Sequence, residues 1–245
     1  MDAYKAIERW CKPLQGKQYC KKLKFQYMID IEMLTVQGGS FLMGDKHKVI
    51  VSDFLIGKFP VTQAQWKAVM NGENPSYFQG DNLPVEQVSW NDVTQKFLPK
   101  LRKITGLQYR LPTVAEWEYA ARGGKCHNEG YKYAGSDRLK DVGWFTENSD
   151  GGTKPVGLRS ANRLGIYDMS GNVWEWCEDD WHDNYDKVPS DGRAWIDSPD
   201  RSIGRVFRGG GWDDDAQYCC VAYRNYWLLD ERRDYIGFRL ALSSK

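Results

Sequence analysis

No stretch of the 245 residues approaches the roughly 18 consecutive apolar residues that a membrane-spanning helix requires, so no such span is expected. Histidine is scarce: His47, His127 and His182 stand apart, with no HExxH or His-x-His arrangement, which argues against a catalytic transition-metal site. The six cysteines (Cys11, Cys20, Cys126, Cys177, Cys219 and Cys220) contain no CxxC pair and no zinc-ribbon spacing. A chain this long does not need a disulfide scaffold, and the thiols are expected to be mostly free and partly buried. Charge of one sign is also lacking: 34 Lys and Arg against 33 Asp and Glu give +1, the charge neither of a polyanion nor of a basic nucleic-acid binder. The first 25 residues have no continuous apolar core of a signal peptide, which reads as cytoplasmic unless the protein is displayed on a surface or a phage particle.

Aromatic residues and glycine are abundant. Eleven Trp, fourteen Tyr and twenty-four Gly accompany 41% hydrophobic residues, too apolar for a disordered chain. This composition suits a loop-rich fold built around rigid rings. Between Met33 and Leu242 there is neither a linker nor a repeat. The expected organisation is therefore a helical arm over residues 1–30, basic with seven Lys/Arg against two Asp/Glu up to Phe25, and one domain over 31–245.

Within the domain, Met33–Gly44 and His47–Phe59 alternate as strands. Pro60–Met70 reads as a helix with Thr62 and Gln65 at capping-box spacing. A second helix starts near Ser89, carries the stripe Val93, Phe97, Leu101 and Ile104, and is kinked by Pro99. A third begins at the capping box of Thr113 and Glu116 and ends at Gly123-Gly124. Residues 125–203 read as long ordered loops, with the acidic run Glu178–Asp186 a solvated one. Two short strand-like pieces, RVFRGGGW and IGFRLAL, close the chain around two dozen irregular residues.

Seven blocks in order, GGSFLMG, FPVTQAQWKAVM, NLPVEQVSWNDV, YRLPTVAEWEYAARGG, LGIYDMSGNVWEW, RGGGW and IGFRL, resemble the formylglycine-generating enzyme (sulfatase-modifying factor) family over residues 33–242. The resemblance implies an α+β, C-type-lectin-like fold with little regular secondary structure, small antiparallel sheets and two or three helices. Oxidase members of that family use two cysteines five residues apart, shortly after the GG-x-W segment, to bind copper. Here Asp213, Asp214 and Asp215 fall where the first cysteine would be, and the only thiols are the adjacent Cys219 and Cys220. Adjacent side chains do not copy such a pair. No catalytic residue and no required cofactor are expected.

The same stretch is more similar to the variable proteins that retroelements diversify in bacteria and phages. In them a fixed framework surrounds changeable positions. The matching framework is Arg208, Gly209, Gly210, Trp212, Ala216, Cys219, Ala222, Arg224, Arg232, Ile236, Gly237, Phe238 and Arg239, with Leu229 where the pattern often has proline. Between these stand Asp213, Asp214, Asp215, Tyr218, Cys220, Tyr223, Asn225, Tyr226, Trp227, Leu228, Glu231, Arg233, Asp234 and Tyr235. Aromatics mixed with both signs of charge on an irregular segment are what a paratope uses. The expectation is a non-catalytic display protein whose segment 213–235 meets a protein or other macromolecular ligand. Two other readings stay open: an undiversified binding or accessory module, and a copper-dependent oxidase. In relatives a structural calcium ion sits at the GNVWEW segment, which implies Gly171, Asn172, Val173 and Glu175 as its ligands here, against the alternative that Trp174 and Trp176 are core and Glu175 pairs with a buried Arg.

Overall fold

The structure is a computed structural model that describes residues 29–197 and 204–244. The helical arm expected over residues 1–30 falls, apart from Ile29 and Asp30, outside them, as do Cys11 and Cys20.

Strands β1 (Met33–Val36), β2 (Gly39–Met43), β3 (His47–Val51) and β4 (Phe54–Gly57) follow the alternation in the sequence. β2 and β3 form an antiparallel hairpin that turns Phe41, Met43, Val49 and Val51 inward. β4 pairs with β1 on one side and with β9 (Ala241–Ser243) on the other, so the end of the domain returns beside its beginning.

Helix α1 (Gln63–Val69) starts where its capping box places it: Thr62 accepts from the Gln65 backbone N–H and Gln65 returns the bond. The helix expected near Ser89 begins as a π-helical stretch, Asp92–Phe97, and runs into α2 (Leu98–Thr105). Pro99 has no N–H for the carbonyl four residues back and its ring crowds that carbonyl. The wider turn ahead of it accommodates both defects. Helix α3 (Val114–Ala121) is capped by Thr113 and Glu116 and is buried on every side. A one-turn α4 spans Leu139–Val142.

The stretch expected to be all loop contains β5 (Trp174–Asp180), the inner strand of a four-stranded sheet. Its neighbours are β6 (Arg205–Arg208) and β8 (Ile236–Phe238), and β7 (Arg224–Trp227) flanks β6 as an edge strand. β8 lies parallel to β5, a departure from the all-antiparallel expectation. β7 also gives order to part of the C-terminal stretch read as irregular.

The core is aromatic. Trp66 stacks on Phe97 at 5.0 Å and Phe238 meets both edge-on. Three arginines, Arg205, Arg208 and Arg239, are wholly buried in it. Each is neutralised by a carboxylate that the strand or helix opposite supplies: Asp180, Glu118 and Glu175 respectively. Asp179 and Asp180 are buried too, so two of the five acidic residues in the run Glu178–Asp186 are core and not a solvated loop.

Candidate functional site

The C-terminal framework residues are anchors in the physical sense. Arg208 donates to Ala222 O (2.9 Å), Tyr223 O (2.8 Å) and Val221 O (3.1 Å) while it pairs with Glu118 on α3. One guanidinium thus fixes three consecutive carbonyls of a loop. Gly210 has φ +77°, and a Cβ built there would lie 2.5 Å from Sγ of Cys219, so only glycine lets this turn close on the 3₁₀ turn Ala216–Cys219. Trp212 packs edge-on against Phe78 at 5.3 Å and donates from its indole to Asp234 O at 3.1 Å. Arg232 holds Asp92 at 2.7 Å, and the Gln87 N–H donates to Arg233 O.

None of the fourteen side chains between the anchors is buried. Asp213, Asp215, Asn225, Tyr226 and Leu228 are exposed and the other nine are half-buried. They form neighbouring groups. Around Gly211, a Cβ would meet Asp213 Oδ1 and Tyr235 Cβ at 3.1 Å. Tyr218 lies edge-on to Tyr223 at 5.1 Å, and Tyr223 tilts against Trp174 at 6.0 Å. Arg233 covers the Trp227 ring at 5.1 Å and pairs with Glu231 at 2.9 Å. Asn225, Tyr226, Trp227 and Leu228 run along or just past β7, whose outer edge carries no strand among the described residues.

Asp214 departs from the expected role. Its Oδ2 accepts from Trp174 Nε1 (2.6 Å) and from the Gly211 N–H (2.7 Å), and its carbonyl accepts from the Thr146 N–H. Through these bonds it braces the scaffold.

Sequence reading missed Trp181 and Tyr185. The Arg224 guanidinium lies 4.2 Å from the Trp181 ring and 4.3 Å from the Tyr185 ring, and Tyr226 stacks on Trp181 at 4.5 Å. Trp181 extends the aromatic surface beyond 213–235, while Tyr185 packs against the core with its hydroxyl closed to solvent. The signal was present as two aromatics in EDDWHDNYD, but the charge of that run masked it.

The expected calcium ligands do not fit the ion. Both Glu175 oxygens accept from Arg239 (2.7–3.2 Å), and Oε2 also accepts from Trp117 Nε1 at 2.6 Å. Asn172 Oδ1 accepts from the Lys154 N–H, and its amide donates back to Lys154 O. Arg239 supplies in the core the positive charge that a cation would bring.

The two adjacent thiols do not converge. Cys219 Sγ faces Asp215 O and Cys220 Sγ faces Ala216 O, at 4.0 and 3.8 Å. Burial, followed by the nearby aspartates, pushes the Cys219 thiol well above the ordinary range and keeps it protonated. Cys126, Cys177, Cys219 and Cys220 are all free thiols, as expected.

Beneath the segment lies Glu86, wholly buried. Its Oε1 accepts from the Phe78 N–H and its Oε2 has no partner. Burial above all, with Asp234 adding repulsion, pushes its carboxyl up to about 7. A folded-state value above the unfolded one means that the native state holds the extra proton between the two. Stability therefore falls as pH rises from about 4.5 to about 7 and levels off above, by about 3 kcal/mol for this group. Asp168, raised to about 6, and Asp179, raised to about 7, act in the same sense. Urea midpoints at pH 5 and pH 8 should differ accordingly, and Glu86→Gln should shrink the difference. An unchanged difference would remove Glu86 as a source.

Residues 28–244 match the family described as the sulfatase-modifying factor enzyme 1-like domain. The chain is 34% identical to chaperone protein LppX of Paenibacillus barcinonensis, over 78% of this chain and 82% of that protein. It is also 34% identical to the formylglycine-generating enzyme of Thermomonospora curvata, over 74% of this chain and 62% of that enzyme. Treponema denticola variable protein 1 has a similar structure, with TM-score 0.78 and 31% identity over 86% of this chain and 95% of that one. PvdO from Pseudomonas aeruginosa follows at TM-score 0.77 and 30% identity, over 89% and 97%. A shared fold leaves activity to the site. With the domain matched from end to end and the lectin-like arrangement of small sheets in place, the chain belongs to the sulfatase-modifying factor enzyme 1-like domain family.

Proposed function

We propose that this domain is a non-catalytic recognition module whose binding face is the segment 213–235, extended by Trp181. The observation that carries this reading is the split in burial. Of the thirteen framework residues, Arg208, Gly209, Gly210, Cys219, Ile236, Gly237, Phe238 and Arg239 are sealed in the core, Trp212, Ala216, Ala222 and Arg224 are half-buried and Arg232 is exposed, while none of the fourteen side chains between them is buried. Such a segment tolerates change in its side chains because the backbone is fixed from beneath. Tyr and Trp supply contact area at low entropy cost, and the charged residues tune complementarity. The likeness to a variable protein supports diversification by a retroelement. The absence of two converging thiolates among the described residues speaks against copper-dependent oxidation.

Two experiments test this. Across related loci, substitutions should concentrate at the thirteen gap positions other than Asp214 and spare the anchors, with an imperfect template repeat nearby; an even spread would leave an undiversified accessory module, a reading that the similarity to a chaperone protein favours. Secondly, replacing Asp213, Asp215, Asn225 and Leu228 by alanine together should shift stability by no more than about 0.5 kcal/mol per site. Asp214→Ala alone should cost about 1–3 kcal/mol, because it strands the Trp174 and Gly211 donors. Equal costs in thermal or urea unfolding would count against a separable display face. Aldehyde formation on a cysteine-containing peptide with copper would restore the enzyme reading.

A further inference from the structure

A second surface has the chemistry of an anion site. An open cleft of about 590 Å³ is lined by Gly135, Ser136, Arg138, Lys140, Asp141, Val142, Leu158, Arg159 and Ser160. That volume is in the range of small-molecule sites. Its lining carries three cations and one carboxylate. Asp141 is engaged, accepting from Arg138 Nε at 2.7 Å and from Ser136 Oγ at 3.3 Å. Lys140 and Arg159 have no carboxylate partner among the described residues.

Arg159 is held in a particular way. Its guanidinium carbon lies 3.7 Å from the centre of the Trp144 ring. All five guanidinium N–H groups lie in the plane of the group, so stacking one face on an indole fixes the fork without using any donor. Arg159 Nε is buried and has no acceptor, and neither has the indole Nε1 of Trp144 beneath it. Both atoms are closed to solvent, so a group in the cleft would meet the terminal nitrogens of the guanidinium and not these two donors. A tetrahedral oxyanion has enough oxygens to accept from a planar fork and a neighbouring ammonium at once.

We propose that this cleft binds a phosphate or sulfate group, free or as an ester, with Arg159 as the planar clamp, Lys140 as the second cation, and Ser160 as a hydroxyl partner. The site is separate from the face 213–235, and neither depends on the other.

The test is a titration of the whole domain, labelled with ¹⁵N, with sodium phosphate, sodium sulfate and phenyl phosphate at constant ionic strength, against a sodium chloride control. The Nε–H signal of Arg159 and the indole signal of Trp144 should shift saturably with the oxyanions and not with chloride. Phenyl phosphate binding more tightly than inorganic phosphate identifies an ester as the occupant, and the reverse identifies the free ion. Arg159→Gln should weaken binding at least tenfold. Lys140→Gln, at an exposed position, should weaken it several-fold with unfolding unchanged, which keeps the test valid if Arg159→Gln perturbs the fold. Shifts that chloride reproduces, or affinities untouched by Lys140→Gln and Arg159→Gln, would overturn the proposal.

Discussion

Arg239→Met should leave the domain largely unfolded at room temperature. Arg239 is wholly buried and donates to both oxygens of Glu175, to Gly57 O at 2.8 Å and to Tyr167 O at 2.7 Å. It therefore ties β4, the loop before Asp168 and β5 to the end of β8. Its removal leaves the Glu175 carboxylate in the core with only the Trp117 indole as a donor. Breaking a buried pair from one side costs about 3–5 kcal/mol, a large part of the 5–15 kcal/mol that a domain has in total. The double variant Arg239→Met with Glu175→Gln removes the stranded charge and should recover part of the loss. Urea unfolding followed by tryptophan fluorescence checks both. A single variant as stable as the parent would mean that Glu175 is neutralised by another group.

Arg208→Met should have a different signature, because Glu118 keeps a second partner. Glu118 Oε1 also accepts from Arg122 Nε and from the Gly44 N–H, both at 2.9 Å, so its charge is not abandoned. The loss falls on the other side, where the Val221, Ala222 and Tyr223 carbonyls lose their common donor. A global cost of about 3 kcal/mol is expected from the broken pair and the unsatisfied groups. The local effect should exceed it. Amide exchange over 216–227 should accelerate roughly tenfold or more beyond that of β1–β4, since this segment would open as its own unit. A uniform acceleration across the chain would show that the arginine serves the core in general and not the recognition segment.

Both predictions concern residues whose roles are set by partners far away in sequence, and this explains how the fold was and was not legible. The capping boxes at Thr62 and Thr113 lie within four residues, and the helices begin where they indicate. Pro99 disturbs its helix as its chemistry demands, through a π-helical stretch rather than a simple kink. β5 lies in a stretch that reads as loop from its turn formers, and Asp179 and Asp180 read as solvated from their charge; with Glu175 they are core residues. They are buried because Arg239 and Arg205, together with the Val114 and Trp195 N–H groups, come from elsewhere to meet them. For Glu175 the sequence leaves two readings, a calcium ion or a buried Arg, and Arg239 is the partner that the structure supplies.

Local chemistry along the chain was enough to establish the family, the strand alternation, two helix starts and which side chains stand between the anchors, since each depends on residue types at short separations. The parallel pairing of β8 with β5, the buried arginine–carboxylate pairs, the aromatic extension through Trp181, and the stacked Arg159 in its cleft all depend on residues brought together across long loops. Charge and polarity in a sequence describe a side chain before it has a partner; folding supplies the partner, and with it decides whether an aspartate belongs to the surface or to the core.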